Sequence, residues 1–328
     1  MKWNNKTIFV TGGTGFFGQR FIQILLKEKK PKKIIIFSRD EIKQYEMQKQ
    51  FKHPKLRFFL GDIRDEGRLL RALQGVDYVI HAAALKIVPL GEYNPFEVIK
   101  TNILGSQNLI NAAIDRKVEK VLAISTDKAV HPINLYGATK LCTEKMFIAA
   151  NNYSPNGTRM SAIRYGNVMG SRGSVVPLFK EAREKGVVTI TDPRMTRFWM
   201  MVDDISRFVI RVIETMKGGE IFVPKLPSIK ITDLAKAICP DCKIKVIGNR
   251  SGEKIHETLV AEEEGAYTYE SKDAFTILPR VVLYQSKRKM KGRLLGNKFT
   301  GYRSDTNRDW LTAADLKQIF KQKFLSNQ

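Results

Sequence analysis

The stretch T7-I-F-V-T-G-G-T-G-F-F-G18 decides the fold. T7-I-F-V10 is a short β-branched, apolar run that predicts a strand. F17 to K30 predicts a helix, with Phe21, Ile24 and Leu25 at helical spacing. Between them the glycines follow G-x-x-G-x-x-G. Gly12 permits a tight turn, Gly15 lets backbone approach a pyrophosphate, and Gly18 is expected to let the helix pack close to the sheet. The helix N-terminus presents free N–H donors and the positive end of its dipole to phosphates. Thr14, Phe16 and Phe17 complete the loop as candidate cofactor contacts.

Working outward, the alternation continues. I34-I-I-F37, L56-R-F-F-L60, Y78-V-I-H81 and V121-L-A-I124 predict strands, with helices near 41–51, 65–74 and 95–116. Parallel strands buried on both faces read as continuous apolar runs. This β-α-β order predicts an α/β protein: a Rossmann-type doubly wound parallel sheet with right-handed crossovers. After about residue 170 the pattern loosens. Residues 1–170 are expected to form the dinucleotide-binding domain, with segments near 200–225 returning to it. Residues 171–328 are expected to build mainly a smaller, mixed substrate domain over the strand ends, where ligands of open α/β sheets bind.

Composition narrows the function classes. The chain has 328 residues, 43% of them hydrophobic, and no apolar run near the ~20 needed to cross a bilayer. The N-terminal apolar stretch is too short for a signal peptide, and a cytoplasmic protein is expected. Cys239 and Cys242 form C-P-D-C with no second Cys/His pair, which reads as a loop with two incidental thiols rather than a metal site. No metal-ligand cluster is evident, and His131 and His256 read as structural or exposed. Net charge is +23. The cations are spread along the chain, with only short clusters such as K27-E-K-K-P-K-K33 and K287-R-K-M-K-G-R293. That pattern reads as a lysine-rich solvated surface, one that favours anionic nucleotide substrates, rather than as a nucleic-acid or membrane interface.

The second strand ends at Phe37, followed by Ser38, Arg39 and Asp40, with Lys43 one turn on. A hydroxyl and two cations suit a 2′-phosphate, so NADP is expected, although Asp40 leaves room for the ribose diol of NAD. Gly61-Asp62-Ile63 follows the third strand, where an adenine edge is read. In S125-T-D-K-A-V-H-P-I-N-L-Y-G-A-T-K140, Tyr136 and Lys140 are four apart and share a helix face. The ammonium is expected to lower the phenol pKa, so that tyrosinate takes a proton from a substrate alcohol. Thr126 is placed to bond the same oxygen. Asp127 and Lys128 are surplus to a plain alcohol oxidation.

With these motifs on view, the chain resembles the UDP-N-acetylglucosamine 4,6-dehydratases of the extended short-chain dehydrogenase/reductase family, and within them the C5-inverting enzymes of pseudaminic acid and capsule biosynthesis. The matching segments are T11-G-G-T-G15, S38-R-D-E41, H81-A-A-A-L-K86, S125-T-D-K-A129, N134-L-Y-G-A-T-K140, R164-Y-G-N-V168, G170-S-R-G-S-V-V-P-L178, M195-T-R-F-W199 and G218-G-E-I-F-V-P-K225. They span roughly residues 5–260. The chain departs from the pattern at Phe16, usually a small polar residue, at Ile87, often histidine, and at Ser251 in R250-S-G-E-K254, usually proline.

The resemblance implies that Tyr136 deprotonates the sugar 4-hydroxyl, and that the Asp127–Lys128 pair carries the middle step, with Lys128 the base that removes the C5 proton while an acid protonates the leaving 6-hydroxyl. Lys128 is a base only when neutral, so its pKa is expected to be depressed by burial beside Lys140 and the cofactor ring. The product would be a UDP-2-acetamido-2,6-dideoxy-L-arabino-hexos-4-ulose. C5 retention or 4-epimerisation would use the same cofactor and Tyr136. The resemblance also places Ala82, Ala84, Lys86, Ser125 and Val168 at the cofactor, and Lys86, Asn167, Arg197, Arg250 and Glu253 at the UDP-sugar. Arg197 and Arg250 suit the diphosphate, since guanidinium binds phosphate in bidentate fashion. It implies a homo-oligomer, dimer or hexamer.

Overall fold

A computed structural model describes residues 3–154, 157–171, 184–280 and 290–324, together with Phe179, Glu181 and Ala182. Within two stretches singled out above, residues 172–178 and 287–289 lie outside the described residues. Six parallel strands carry the first half: β1 (Thr7–Thr11), β2 (Lys33–Ser38), β3 (Leu56–Leu60), β4 (Tyr78–His81), β5 (Lys120–Ile124) and β6 (Arg159–Ile163). Their order in the sheet is β3-β2-β1-β4-β5-β6, the doubly wound arrangement expected from the sequence. The inner strands β1 and β4 bury every residue, which is why they read as unbroken apolar runs.

The sheet then continues with C-terminal chain. Strand Ile221–Pro224 adds to β6 in parallel, and Ala274–Ile277, Thr268–Glu270 and Arg293–Leu294 follow antiparallel to one another. A second buried cluster, including Met169, Val188, Trp199, Ile229, Leu234 and Leu316, lies apart from the main core. Among the described residues, no helix is long and apolar enough to cross a membrane.

Several helices carry their own start signals. Asp40 accepts from Lys43 N at the head of α2 (Glu41–Gln50), and Asp65 from Arg68 N at the head of α3 (Glu66–Ala72). Asn134 accepts from Gly137 N at the head of the helix Leu135–Ala149, which carries Tyr136 and Lys140. By contrast, the helix Phe16–Glu28 starts at Gly15 with no side-chain cap, leaving its N–H groups to a ligand.

The helix expected over 95–116 is present, as Pro95–Ile99, a π-helical turn Lys100–Leu104 and Gly105–Asp115 in direct succession, and a separate short helix, Val88–Tyr93, precedes it. Pro89 and Pro95 each open a helix, and Asn94 between them leaves helical geometry at φ −122 and ψ 61. The π turn carries Asn102. Its Oδ1 accepts from Leu85 N at 2.8 Å and its Nδ2 donates to Leu85 O at 2.9 Å, which clamps the loop after β4.

The C-P-D-C reading is corrected. Cys239 ends the helix Ile231–Ile238, Cys242 N turns back onto Cys239 O at 3.3 Å, and the two sulfurs are bonded, with Cα atoms 5.4 Å apart.

A buried ion network ties the halves together. Arg164, just past β6, is 2% exposed and binds Glu144 at 2.7 Å and Glu264 at 2.8 Å. Glu144 also accepts from Ser125 Oγ at the end of β5. Arg164→Met strips both carboxylates of their cation and is expected to lower the unfolding free energy by about 3–5 kcal/mol in a urea titration. Arg194→Met, on a solvent-facing pair with Asp192, should leave the midpoint unchanged.

Candidate active site

One cleft of about 1270 Å³ runs along the carboxyl ends of β1 to β6. Every residue singled out in the sequence for cofactor, catalysis or substrate lines it, from Gly12 and Ser38 to Arg250 and Glu253. Gly12 has φ +66, and a Cβ on it would meet Ala83 N at 2.9 Å. Gly18 has a different task from the one expected. A Cβ there would meet Gly13 Cα at 2.6 Å and Gly12 O at 2.8 Å, so its bareness closes the loop on itself rather than on the sheet. At the end of β2, the Asp40 carboxylate is turned to its own helix: it accepts from Lys43 N at 3.0 Å and pairs with the Lys43 ammonium. Arg39 stays half-exposed beside Asp62, at 3.8 Å.

The turn Asp127–Ala129 follows β5 after only Ser125 and Thr126, and the Leu135–Ala149 helix packs on it. Gly137 makes this approach possible, because a Cβ there would collide with the Lys128 carbonyl oxygen. The result is a compact group of proton carriers. Thr126 Oγ1 is 2.9 Å from Asp127 Oδ1 and hydrogen-bonds the Tyr136 phenol. Lys128 Nζ stands 3.1 Å from Asp127 Oδ1 and 3.2 Å from Glu257 Oε1. Asp127 is fully buried, and its Oδ2 has no hydrogen-bond partner.

This geometry reverses the expected lysine chemistry. Burial works to lower the Lys128 pKa, but the carboxylates of Asp127 and Glu257 outweigh it and raise the pKa, so Lys128 rests as ammonium rather than as a neutral base. Lys140 is the depressed one. Burial brings it to about 8, with Glu144 opposing. The phenol reading is also corrected. Burial pushes Tyr136 up to about 12, and the lysine that pulls against this is Lys128, helped by the Thr126 hydrogen bond. Asp127 is raised by burial and then by the nearby Glu257 charge.

Other cleft residues have unmet hydrogen-bonding capacity. Asn167 Oδ1, Trp199 Nε1, Glu253 Oε2, Glu257 Oε2 and Thr101 Oγ1 are buried without hydrogen-bond partners, and all five residues line the cleft. Buried polar groups are nearly always satisfied, so this concentration marks where a polar ligand binds. Arg197 is committed elsewhere: its guanidinium donates to the carbonyls of Thr196 and Ile255, at 2.7 and 2.9 Å, and of Lys254, at 2.9 Å. His131 faces Glu263 at the surface, and His256 bonds Thr196.

Residues 8–279 match the profile of the polysaccharide biosynthesis protein family. A UDP-N-acetylglucosamine 4,6-dehydratase (inverting) from Campylobacter jejuni is 49% identical over 97% of this chain and 98% of its own. The chain belongs to this family. A UDP-glucose 4-epimerase from Rickettsia conorii is 48% identical over 83% of each chain. The crystal structure of Pen from Bacillus thuringiensis superposes with a TM-score of 0.90 at 37% identity, covering 100% of this chain and 99% of that one.

For this polysaccharide biosynthesis protein, sequence reasoning missed Glu257, Trp199 and Thr101. The available signals were that Trp199 closes the segment M195-T-R-F-W199 and that Glu257 lies three residues beyond R250-S-G-E-K254. Gly137→Ala tests the packing that assembles the site. The variant is expected to keep its helical circular dichroism while turnover falls ~10²-fold, because the tyrosine helix is pushed off the Asp127–Ala129 turn. Turnover within twofold of wild type would contradict this.

Proposed function

We propose that the protein is a hydro-lyase that dehydrates UDP-N-acetylglucosamine across C5 and C6 with inversion at C5. The product is a UDP-2-acetamido-2,6-dideoxy-L-arabino-hexos-4-ulose. The observation that carries this reading is the Asp127–Lys128 pair, 3.1 Å apart beside Thr126 and Tyr136, with Asp127 Oδ2 unpartnered. Epimerisation at C4 needs one acid/base group at the sugar oxygen. Dehydration needs further groups to take the C5 proton and to protonate the departing oxygen, and this cleft has them.

The residues present fit a nicotinamide dinucleotide. The glycine turn leaves no room for a Cβ at Gly12, and the first helix has an uncapped N-terminus. Ser38, Arg39 and Lys43 at the end of β2, with Asp40 turned to its own helix, support NADP over NAD. When bound, NADP would supply uptake of the hydride from sugar C4 and its return at C6.

Tyr136 is the group placed to accept the proton of the 4-hydroxyl: burial holds it as phenol, and the Lys128 ammonium and Thr126 are what pull it toward the phenolate that takes the proton. The C4 ketone acidifies C5–H. Asp127, a carboxylate strengthened as a base by burial, accepts that proton through Oδ2. The Lys128 ammonium protonates the departing 6-oxygen, and water leaves. Having given its proton to the departing oxygen, Lys128 recharges from solvent, to which it is 28% exposed, and returns a proton to C5; removal by Asp127 and return through Lys128, whose Nζ lies 3.1 Å from Asp127 Oδ1, separate the two transfers as inversion requires.

The UDP moiety is assigned to the wall built by the second cluster. Arg250 and Lys86 supply its cations, since Arg197 is engaged internally, and Asn167 and Glu253 supply open polar atoms. The exposed Leu90, Tyr93 and Phe96 support self-association as a dimer or hexamer.

Incubation of the NADP-loaded protein with UDP-N-acetylglucosamine is expected to give a product lighter by one water in mass spectrometry. Intact substrate, or a 4-epimer of unchanged mass, would overturn the reading. Lys128→Met keeps the length and removes the amine. Water loss is expected to fall ~10²-fold or more, while bound NADPH absorbance still appears, because Tyr136 remains.

A further inference from the structure

Glu257 belongs to none of the motifs that point to this site, yet it reaches the centre of it. It comes from the segment before the strand Thr258–Val260 and is 2% exposed. Its backbone is fixed on both sides, with its N–H donating to Ser304 Oγ at 2.9 Å and its carbonyl accepting from Ser304 N at 2.8 Å. The carboxylate is therefore delivered to a set position. There Oε1 lies 3.2 Å from Lys128 Nζ and 3.9 Å from Arg197 Nε. Oε2 lies 3.8 Å from Lys254 Nζ and makes no hydrogen bond. A buried ion pair of this kind adds little stability over an apolar pair of the same size, because desolvation offsets the attraction. Its placement against the ammonium assigned to the proton transfer calls for a functional account.

We propose that Glu257 is a positioning residue for proton transfer: its carboxylate, opposite that of Asp127, holds the Lys128 amine charged and aimed into the cleft. The proposal rests on the dehydratase reading and deepens it. With Glu257 in place, Lys128 enters the cycle as the acid. Its N–H bond breaks as an O–H bond forms on the sugar 6-oxygen, the C6–O electron pair leaves with the water, and Asp127 takes the C5 proton. Glu257 neither gains nor loses a proton; it fixes which partner starts charged.

The charged and titratable groups that face this amine are Asp127 on its own turn and Tyr136 from the following helix. Arg197 from the strand Thr196–Met200, Lys254 and Glu257 from the C-terminal segment, and Lys86 after β4 complete the surroundings. The cations and Glu257 act in opposite senses, so removal of Glu257 leaves Lys128 with Asp127 alone against Arg197, Lys254 and Lys86. A nearby anion favours the charged amine, so its loss lowers the pH at which the proton leaves.

The test uses the full chain carrying Glu257→Gln or Glu257→Asp. Lys128 is 28% exposed, so its amine can be labelled with acetic anhydride across a pH series and quantified by peptide mass spectrometry. The onset of Lys128 labelling is expected to move to lower pH by roughly one unit or more in Glu257→Gln, and part-way in Glu257→Asp. The basic limb of kcat/KM for water loss should move in the same direction. kcat should fall ~10-fold or more with KM little changed, and the aspartate should recover part of it. If the glutamine variant folds poorly, the aspartate variant decides. A labelling curve unchanged from wild type in the variants that fold overturns the proposal, whatever happens to turnover. If wild-type protein does not dehydrate UDP-N-acetylglucosamine, the dehydratase reading fails on its own, and the labelling curves still decide whether Glu257 governs Lys128.

Discussion

Lys128 Nζ sits between two buried carboxylates, 3.1 Å from Asp127 and 3.2 Å from Glu257, and much of the molecule serves to keep it there. Only Ser125 and Thr126 separate the Asp127–Ala129 turn from the end of β5, so the sheet fixes one side of the pair. Glu257 arrives from a segment pinned through Ser304. The tyrosine helix closes on the Lys128 carbonyl because Gly137 has no side chain. Cations from three other elements, Arg197, Lys254 and Lys86, surround the group and share its field. Protons in such a cluster belong to the set rather than to any single member.

Behind this reacting layer lies a second, structural layer of charge. Arg164 binds Glu144 and Glu264 in full burial, and Glu144 in turn holds Ser125 and raises the neighbouring Lys140 against its desolvation. Glu144 is four residues beyond Lys140 on the same helix, so one helix face carries Tyr136, Lys140 and Glu144 from the cleft into the core. The network joins the β5 and β6 ends to C-terminal chain, which couples the geometry of the site to the docking of the second half.

The local part of this arrangement was legible in the sequence. The strands from β1 to β5 announce themselves as apolar runs, and the glycine loop and S125–K140 are contiguous, so their residues meet through neighbours in the chain. Tertiary context decided the rest. Glu257 is 129 residues from Lys128, and no spacing rule connects them. Once Glu257 is placed, the lysine that rests charged and the lysine that is depressed exchange roles, which burial alone cannot predict. Pro95 marked where the long helix begins, but nothing in the apolar pattern separated the π turn Lys100–Leu104 from the helix around it. The antiparallel strands at the sheet edge are short and half polar, without the unbroken apolar signal of buried parallel strands.

The central claim is that a buried carboxylate removes the C5 proton and an adjacent charged lysine returns one, so that the two transfers use different atoms. Its most direct test is the reaction of UDP-N-acetylglucosamine in deuterated water, followed by proton NMR of the product. The account predicts one deuterium at C5 and ring couplings of the L-arabino configuration. A 6-deoxy product with protium retained at C5, or one with the D-configuration there, would contradict it.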